Sequence, residues 1–416
     1  MIVRHRLLGA SGVLGILLGG SAAQAQTPIP ECNDPQFPNP VLLTGSSAFE
    51  PLLRKMAVAI QAANQGKPAS EQVTLMYATS ASCDGANSAR VPQPVITGGN
   101  YYLPDPDHKG EALTRTCAVD VSKGSAGYTP AIGVSDVSFT SCPGAPASVP
   151  ADIGEWRGPV QSMLIIVPSQ NVTMTAISAE QAAAIWGCGA ASGIPPFTDP
   201  NTIMQRSSSS GTQILVSKAI GVPPASFLGL PNSSGGDLVT KMLGLDPYST
   251  IGFLAADAFQ SVTYAGKLNA VAFRAFNQDK AYYADSDKTK TDKRNVRNGH
   301  YVIQGPLHFY VPLTAGQPAP LTKKVLDWIT GAVPLDATKP NGYVDLVALA
   351  GDVPDCAMKV QQLCGDGGYF SSYTPPVSCG CYFENAATGT SSPDCVPCVD
   401  SSTCSPGKTC QTGYCE

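Results

Sequence analysis

The sequence predicts an α/β fold in two lobes, with a small cysteine-rich appendage at its C-terminal end. Three observations predict it. Short apolar runs end in small polar residues, and at least three of them lead straight into a helical pattern. About 390 residues remain once an N-terminal export signal is removed, a length that suits two lobes rather than one. Past Pro376 the composition changes abruptly, with seven cysteines between Cys379 and Cys415 among Gly, Ser, Thr, Pro and Asp.

The signal comes first. Arg4 and Arg6 form a positive start, Leu7 to Gly20 an apolar stretch, and Ala23-Gln24-Ala25 a small-residue cleavage site, so residues 1–25 read as a signal peptide. No later stretch approaches the roughly 20 apolar residues that span a bilayer. Cys32 lies too far downstream for a lipid anchor, so a periplasmic or secreted protein is expected. Removing the signal takes the net charge from −5 to −7, with 24 Lys and Arg against 31 Asp and Glu. That acidity offers no basic stripe for nucleic acid.

Residues 26–40 are Pro-rich and extended. Val41–Leu43 reads as a buried strand, and Phe49, Leu52, Leu53, Met56 and Ile60 carry helical spacing that Gly66 and Pro68 end. Val73–Ala78 is the next strand, followed by a short helix through Ala86–Ala89. Residues 83–127 form an insertion in which Tyr101–Leu103 and Thr114–Val119 read as two strands around a Pro-Asp-Pro-Asp turn. Ala131–Val134 is a strand ending at Ser135-Asp136, residues 162–167 a strongly apolar strand, and Ile177–Ile185 a helix capped by Ser178 with Gln181 three residues on. Ile203–Gln205 is a short strand ending at Arg206. Leu238–Leu243 reads as helix, Ile251–Leu254 as strand, 285–297 as a charge-dense solvated loop, Tyr301–Pro312 as strand and Leu321–Ile329 as helix.

The segment Arg206-Ser-Ser-Ser-Ser-Gly-Thr212 carries the chemistry. One guanidinium precedes a run of hydroxyls and a glycine at a helix start, where free N–H groups and the helix dipole favour an anion. Arg206 can donate in a fork, Ser210 and Thr212 can add hydroxyl donors, and Gly211 permits close approach. The same segment also fits a serine-rich helix cap with no ligand. In open α/β sheets, ligands bind beyond the carboxyl ends of the strands, and here four strand ends are small and polar.

Read together, these strand ends resemble, in order, the loops of the periplasmic phosphate-binding protein of the ABC phosphate transporter, within the type 2 periplasmic-binding superfamily. Thr44-Gly-Ser-Ser-Ala-Phe-Glu-Pro51 resembles its first phosphate loop, with Ala48 and Phe49 at the contact positions; the usual Thr is replaced by Ala48, and Ser46 or Ser47 supplies the nearest hydroxyl. Tyr77-Ala-Thr-Ser-Ala-Ser82 is similar to the second, with Ser82 as contact. Gly133-Val-Ser-Asp136 resembles the third, with Asp136 as contact, and Arg206 with Ser210-Gly-Thr212 the fourth, with Ser208 where Asp is usual. The resemblance covers roughly residues 41–375. It implies a two-lobed clamp with a discontinuous first lobe (26–160 and 303–375, insertion 83–127), a second lobe (161–302), and crossovers near 158–163 and 298–303. Residues 376–416 form the added disulfide-stapled tail.

The implied site is Ser47, Ala48, Phe49, Ser82, Asp136, Arg206, Ser210, Gly211 and Thr212. The implied ligand is inorganic phosphate, delivered to a membrane permease, with no cofactor, no metal and no catalysis. Asp136 would discriminate. Phosphate near neutral pH keeps a proton to donate to a carboxylate, whereas sulfate leaves that acceptor unpaired, at a cost of several kcal/mol. A receptor for another oxyanion, or a surface adhesion protein reusing the fold with the tail as a partner module, also fits. His108, His300 and His308 show neither metal nor triad spacing, and no Gly-x-Ser-x-Gly motif occurs.

Five cysteines lie between Cys32 and Cys188 and nine between Cys356 and Cys415. Both counts are odd, so either a bridge joins the two regions or a thiol is left over. Cys83 with Cys117, and Cys142 with Cys188, are the pairings considered. Cys395-x2-Cys398 also has zinc spacing, which an oxidising compartment disfavours.

Overall fold

The computed structural model describes residues 29–90, 92–108, 111–119, 126–363 and 365–416, so the expected signal peptide lies outside the described residues. A single ten-stranded mixed sheet runs through the molecule. Its strands are β1 (Pro40–Ser46), β2 (Thr74–Ser80), β3 (Gly98–Pro104), β4 (Ala112–Ala118), β5 (Ile132–Ser135), β6 (Ile153–Pro168), β7 (Ala176–Ser178), β10 (Gly252–Ala255), β11 (Leu268–Arg274) and β12 (Gln304–Pro312). Two short strands, β8 (Met204–Gln205) and β9 (Leu230–Pro231), pair in parallel beside it. The order across the sheet is β4-β3-β2-β1-β5-β12-β6-β11-β7, with β10 also on β6.

The helices are α1 (Glu50–Asn64), α2 (Ser82–Asn87), α3 (Ala179–Cys188), α4 (Gly211–Ile220), α5 (Gly235–Met242), α6 (Ala256–Phe259), α7 (Arg294–Arg297), α8 (Pro320–Ile329), α9 (Gly342–Ala350) and α10 (Gly380–Thr388). Local chemistry explains their starts. α1 has Pro51 in its first turn and buries Leu52, Leu53, Met56 and Ile60 along one stripe. α3 shows the reciprocal cap expected of Ser178 and Gln181, with bonds of 3.2 and 3.0 Å, a device that stabilises a helix by roughly 1 kcal/mol.

β6 joins the halves of the sheet. Its residues 153–162 pair with β12, and its residues 163–168 pair with β10 and β11. Each half has its own core. Leu43, Phe49, Tyr77, Val134, Phe309 and Leu326 fill one. Ile165, Ile185, Trp186, Met204, Phe253 and Val271 fill the other, where the Trp186 indole donates to the Met204 carbonyl at 2.9 Å. Each such side chain stabilises the fold by roughly 1.5–3 kcal/mol.

The insertion extends the sheet. β3 pairs antiparallel with β2, and β4 with β3. Lys55 meets Glu111 at 2.7 Å, so the hairpin is also held to α1.

Three expectations need correction. Neither considered pairing forms: Cys117 bridges Cys32, Cys83 bridges Cys142, and Cys188 is exposed and free. Among the described cysteines no bridge joins the two regions, and Cys364 lies outside the described residues. Segment 285–297 is a solvated loop only in part: residues 286–291 are exposed, but its two ends are buried. Lys293 is 1% exposed and bonds Asp285 at 2.8 Å, and Asp292, Asn295 and Arg297 are buried. At those ends paired charges satisfy one another instead of reaching water.

The tail is stapled as expected, by Cys356–Cys379, Cys381–Cys395, Cys398–Cys410 and Cys404–Cys415, but it also contains an unforeseen helix. Phe383 of α10 is fully buried beneath the Arg297 guanidinium, 5.4 Å from its ring centre. The zinc-like spacing is absorbed by disulfides, since Cys395 and Cys398 have different bridge partners.

Candidate anion-binding site

β1, β2 and β5 are neighbours and run parallel, so their carboxyl ends lie side by side. The Ser47–Phe49 turn follows β1, Ser82 opens α2 just after β2, and Asp136 follows β5. The close approach requires Gly45: at φ +136°, a Cβ there would sit 1.9 Å from the Val134 carbonyl oxygen. Arg206 follows β8, and Ser210 caps α4 from the other half of the sheet.

Three contacts join the two halves directly, Ser82 with Gly211, Cys83 with Ser209 and Ser47 with Arg206. The Ser82 hydroxyl donates to Asp136 Oδ2 at 3.1 Å and accepts the Gly211 N–H at 2.9 Å. A Cβ on Gly211 would lie 2.5 Å from Ser82 Oγ and 2.9 Å from Asp136 Oδ2, so only glycine fits at this contact. The Cys83 N–H donates to the Ser209 carbonyl at 3.1 Å. Arg206 Nη2 donates to Ser233 O at 3.2 Å and Ser47 Oγ at 3.5 Å.

Two charged atoms are left over. Asp136 is 1% exposed and Arg206 5% exposed, yet Asp136 Oδ1 and Arg206 Nε have no hydrogen-bond partner. No ion pair closes between them among the described residues. Burial pushes the Asp136 carboxyl above its usual range, against the Ser46 and Ser82 hydroxyls and the Arg206 charge. The Ser46 hydroxyl acts on this carboxylate without closing a hydrogen bond to Oδ1. Burial likewise pulls the Arg206 pKa down, and the charges of Asp136 and Asp237 resist it. Buried orphan groups of this kind are costly to a fold and call for an explanation, such as strain or a bound ion or water.

Beside this contact lies a cleft of about 620 Å³. Ser47, Ala48, Arg206 and Thr212 line it, whereas Phe49, Ser82, Asp136, Ser210 and Gly211 are packed against their neighbours. The Phe49 ring is core, edge-on to Tyr77 and Phe309. The Ala48 N–H turns to Ser46 Oγ at 3.1 Å. Ser210 makes no side-chain cap, so its hydroxyl is not committed to α4.

Several residues at the site escaped the sequence reading. Ser234, Gly235 and Gly236 bring the N-terminus of α5 to the cleft, with Ser234 accepting the Asp237 N–H at 3.0 Å; the Ser-x-x-Asp spacing was the available signal. Gln161, with Ser162, is polar in a buried stretch of β6 that is otherwise apolar. Its Nε2 donates to Ala48 O at 2.9 Å, Asp257 Oδ2 at 3.2 Å and Asp352 Oδ2 at 3.4 Å. Burial pushes Asp352 up to about 8 and raises Asp257 as well. His308, opposite Ser135 in the sheet, holds Glu155 at 2.6 Å and faces Asp366 at 3.8 Å. Burial opposes its charge, but those carboxylates outweigh it and hold the imidazole pKa above its ordinary value.

The chain is similar to phosphate ABC transporter substrate-binding proteins. One from Clostridium perfringens, described as putative and with bound phosphate, is 15% identical, with 76% of this chain and 99% of that chain covered and a TM-score of 0.49. An ABC-type phosphate transport receptor from Vibrio cholerae is 13% identical over 75% of this chain and 99% of that one, with a TM-score of 0.42. The regulatory domain of HypT from Salmonella typhimurium is also similar, at 10% identity over 71% and 97%, with a TM-score of 0.35. No family model and no curated protein matches the chain.

Proposed function

We propose that this chain is an exported, non-catalytic receptor that captures phosphate between two lobes, residues 26–160 with 303–375 and residues 161–302, and hands it to a membrane permease. The observation that carries the reading is the pair of buried, unpartnered charged atoms, Arg206 Nε and Asp136 Oδ1, at a joint between the two halves. An oxyanion supplies what both lack: acceptors for the guanidinium and, if protonated, a donor for the carboxylate.

In this reading Arg206, Ser210, Gly211, Thr212 and Ser82 donate to the anion with Ser47, and the Ala48 and Phe49 N–H groups join the shell by exchanging their bonds to Ser46 for the ligand. The Gly211 N–H bonded to Ser82 is released when α4 draws back to admit the ligand, and closure then makes all contacts together. Six disulfides accord with an exported protein.

Thermal unfolding with and without inorganic phosphate tests this. Phosphate is expected to raise Tm in the native protein and to leave Arg206→Ala unmoved. Equal shifts in both would place the anion elsewhere.

A further inference from the structure

The cleft is too large for the anion alone. Its 620 Å³ has room for about twenty waters at roughly 30 Å³ each, whereas inorganic phosphate has only five heavy atoms. Clefts of about 300–1,000 Å³ suit organic ligands. The space is not a gape between parted halves, because the halves already touch through Gly211 and Ser82 at 2.9 Å and through Cys83 and Ser209 at 3.1 Å.

The walls away from Arg206 have a definite chemistry. Thr79 and Glu50 come from the β1–β2 side, Asp105 and Glu111 from the inserted hairpin, and Gln260, Ser261, Thr263 and Tyr264 from the loop after α6. Two of the wall carboxylates already hold a cation, Glu50 with Arg54 at 3.0 Å and Glu111 with Lys55 at 2.7 Å, and Asp105 shares a hydrogen bond with the His108 ring at 3.1 Å. Such a surface offers no free cation for a second anionic group. It presents hydroxyls, an amide and carboxylate oxygens with spare lone pairs, the set that a hydroxyl-rich molecule satisfies.

We propose that the ligand is a phosphomonoester of a small polyol or sugar, its phosphoryl group at Arg206 and Thr212 and its hydroxyl-bearing body along the wall that the insertion helps to build. This rests on the oxyanion reading above and names the ligand class for the same cleft. It also gives the insertion a role, since Asp105, Glu111 and Ala112 line the cleft.

Calorimetry on the full mature chain, stripped of bound anion, tests it with inorganic phosphate, glycerol phosphate, glucose 6-phosphate and unphosphorylated glucose. The expected result is that one ester binds at least tenfold more tightly than phosphate while glucose does not bind. Thr79→Trp and Thr263→Trp, enlargements at exposed cleft positions, are each expected to weaken the ester at least tenfold and to leave phosphate within twofold. Phosphate binding with both esters rejected overturns this inference and leaves the phosphate receptor standing. Glucose binding as tightly as its phosphate overturns both. No binding of phosphate or esters by folded protein likewise overturns both.

Discussion

In the proposed receptor, Asp136 is the residue on which selectivity would turn. One of its oxygens accepts from Ser82, and the other is buried and unpaired. A protonated phosphate can satisfy that oxygen and sulfate cannot. Asp136→Asn is therefore expected to narrow the preference for phosphate over sulfate by roughly tenfold or more, since a hydrogen bond to a charged group is worth about 1.5–3 kcal/mol. Competition of sulfate against labelled phosphate checks it, and an unchanged preference would remove Asp136 from the ligand shell.

Asp352 makes a separate prediction about stability. Its carboxyl is pushed up to about 8 by burial, so the folded protein keeps a proton there that the unfolded chain releases near pH 4. A raised folded pKa means stability that is full below about pH 4 and is lost as pH rises toward about 8. Denaturant unfolding should thus show stability falling across that window, with a flatter profile in Asp352→Asn. An identical slope in the variant would place the proton on another group.

At the scale of elements, the strand ends were legible because buried strands read as short apolar runs that stop at small polar residues. The four loops could be ordered along the chain, but which of their groups bond one another could not. The Gly211–Ser82 contact joins residues 129 positions apart. The buried ends of segment 285–297 were missed for the same reason. Its charges look solvated locally, whereas Arg297 bonds the Gly380 carbonyl at 3.1 Å and lies 3.5 Å from Glu384.

Those contacts dock the tail, and the last residue completes the docking. The Glu416 carboxylate accepts the Gly380 and Cys381 N–H groups at 3.0 and 2.7 Å, capping α10 from the far end of the tail. Glu416→Ala is expected to destabilise this unit by about 1 kcal/mol. Faster amide exchange in residues 380–388, with exchange in β1 and β5 unchanged, is the expected result; unaltered α10 protection would show that the bridges alone hold it.

Across the whole molecule, the long strand β6 carries the chain from one half of the sheet to the other, and the cleft opens beside that passage. Gln161 ties β6 to the Ala48 turn, to Asp257 in α6 and to Asp352 after α9, so parts of both halves meet at one amide. This arrangement suits a clamp whose closure is set by what occupies the cleft. The measurement that tests the central claim most directly is isothermal titration calorimetry on the mature, oxidised, anion-stripped protein, with phosphate and then sulfate. The account predicts one-site phosphate binding with sulfate rejected. No heat with phosphate, on protein shown to be folded, would contradict it.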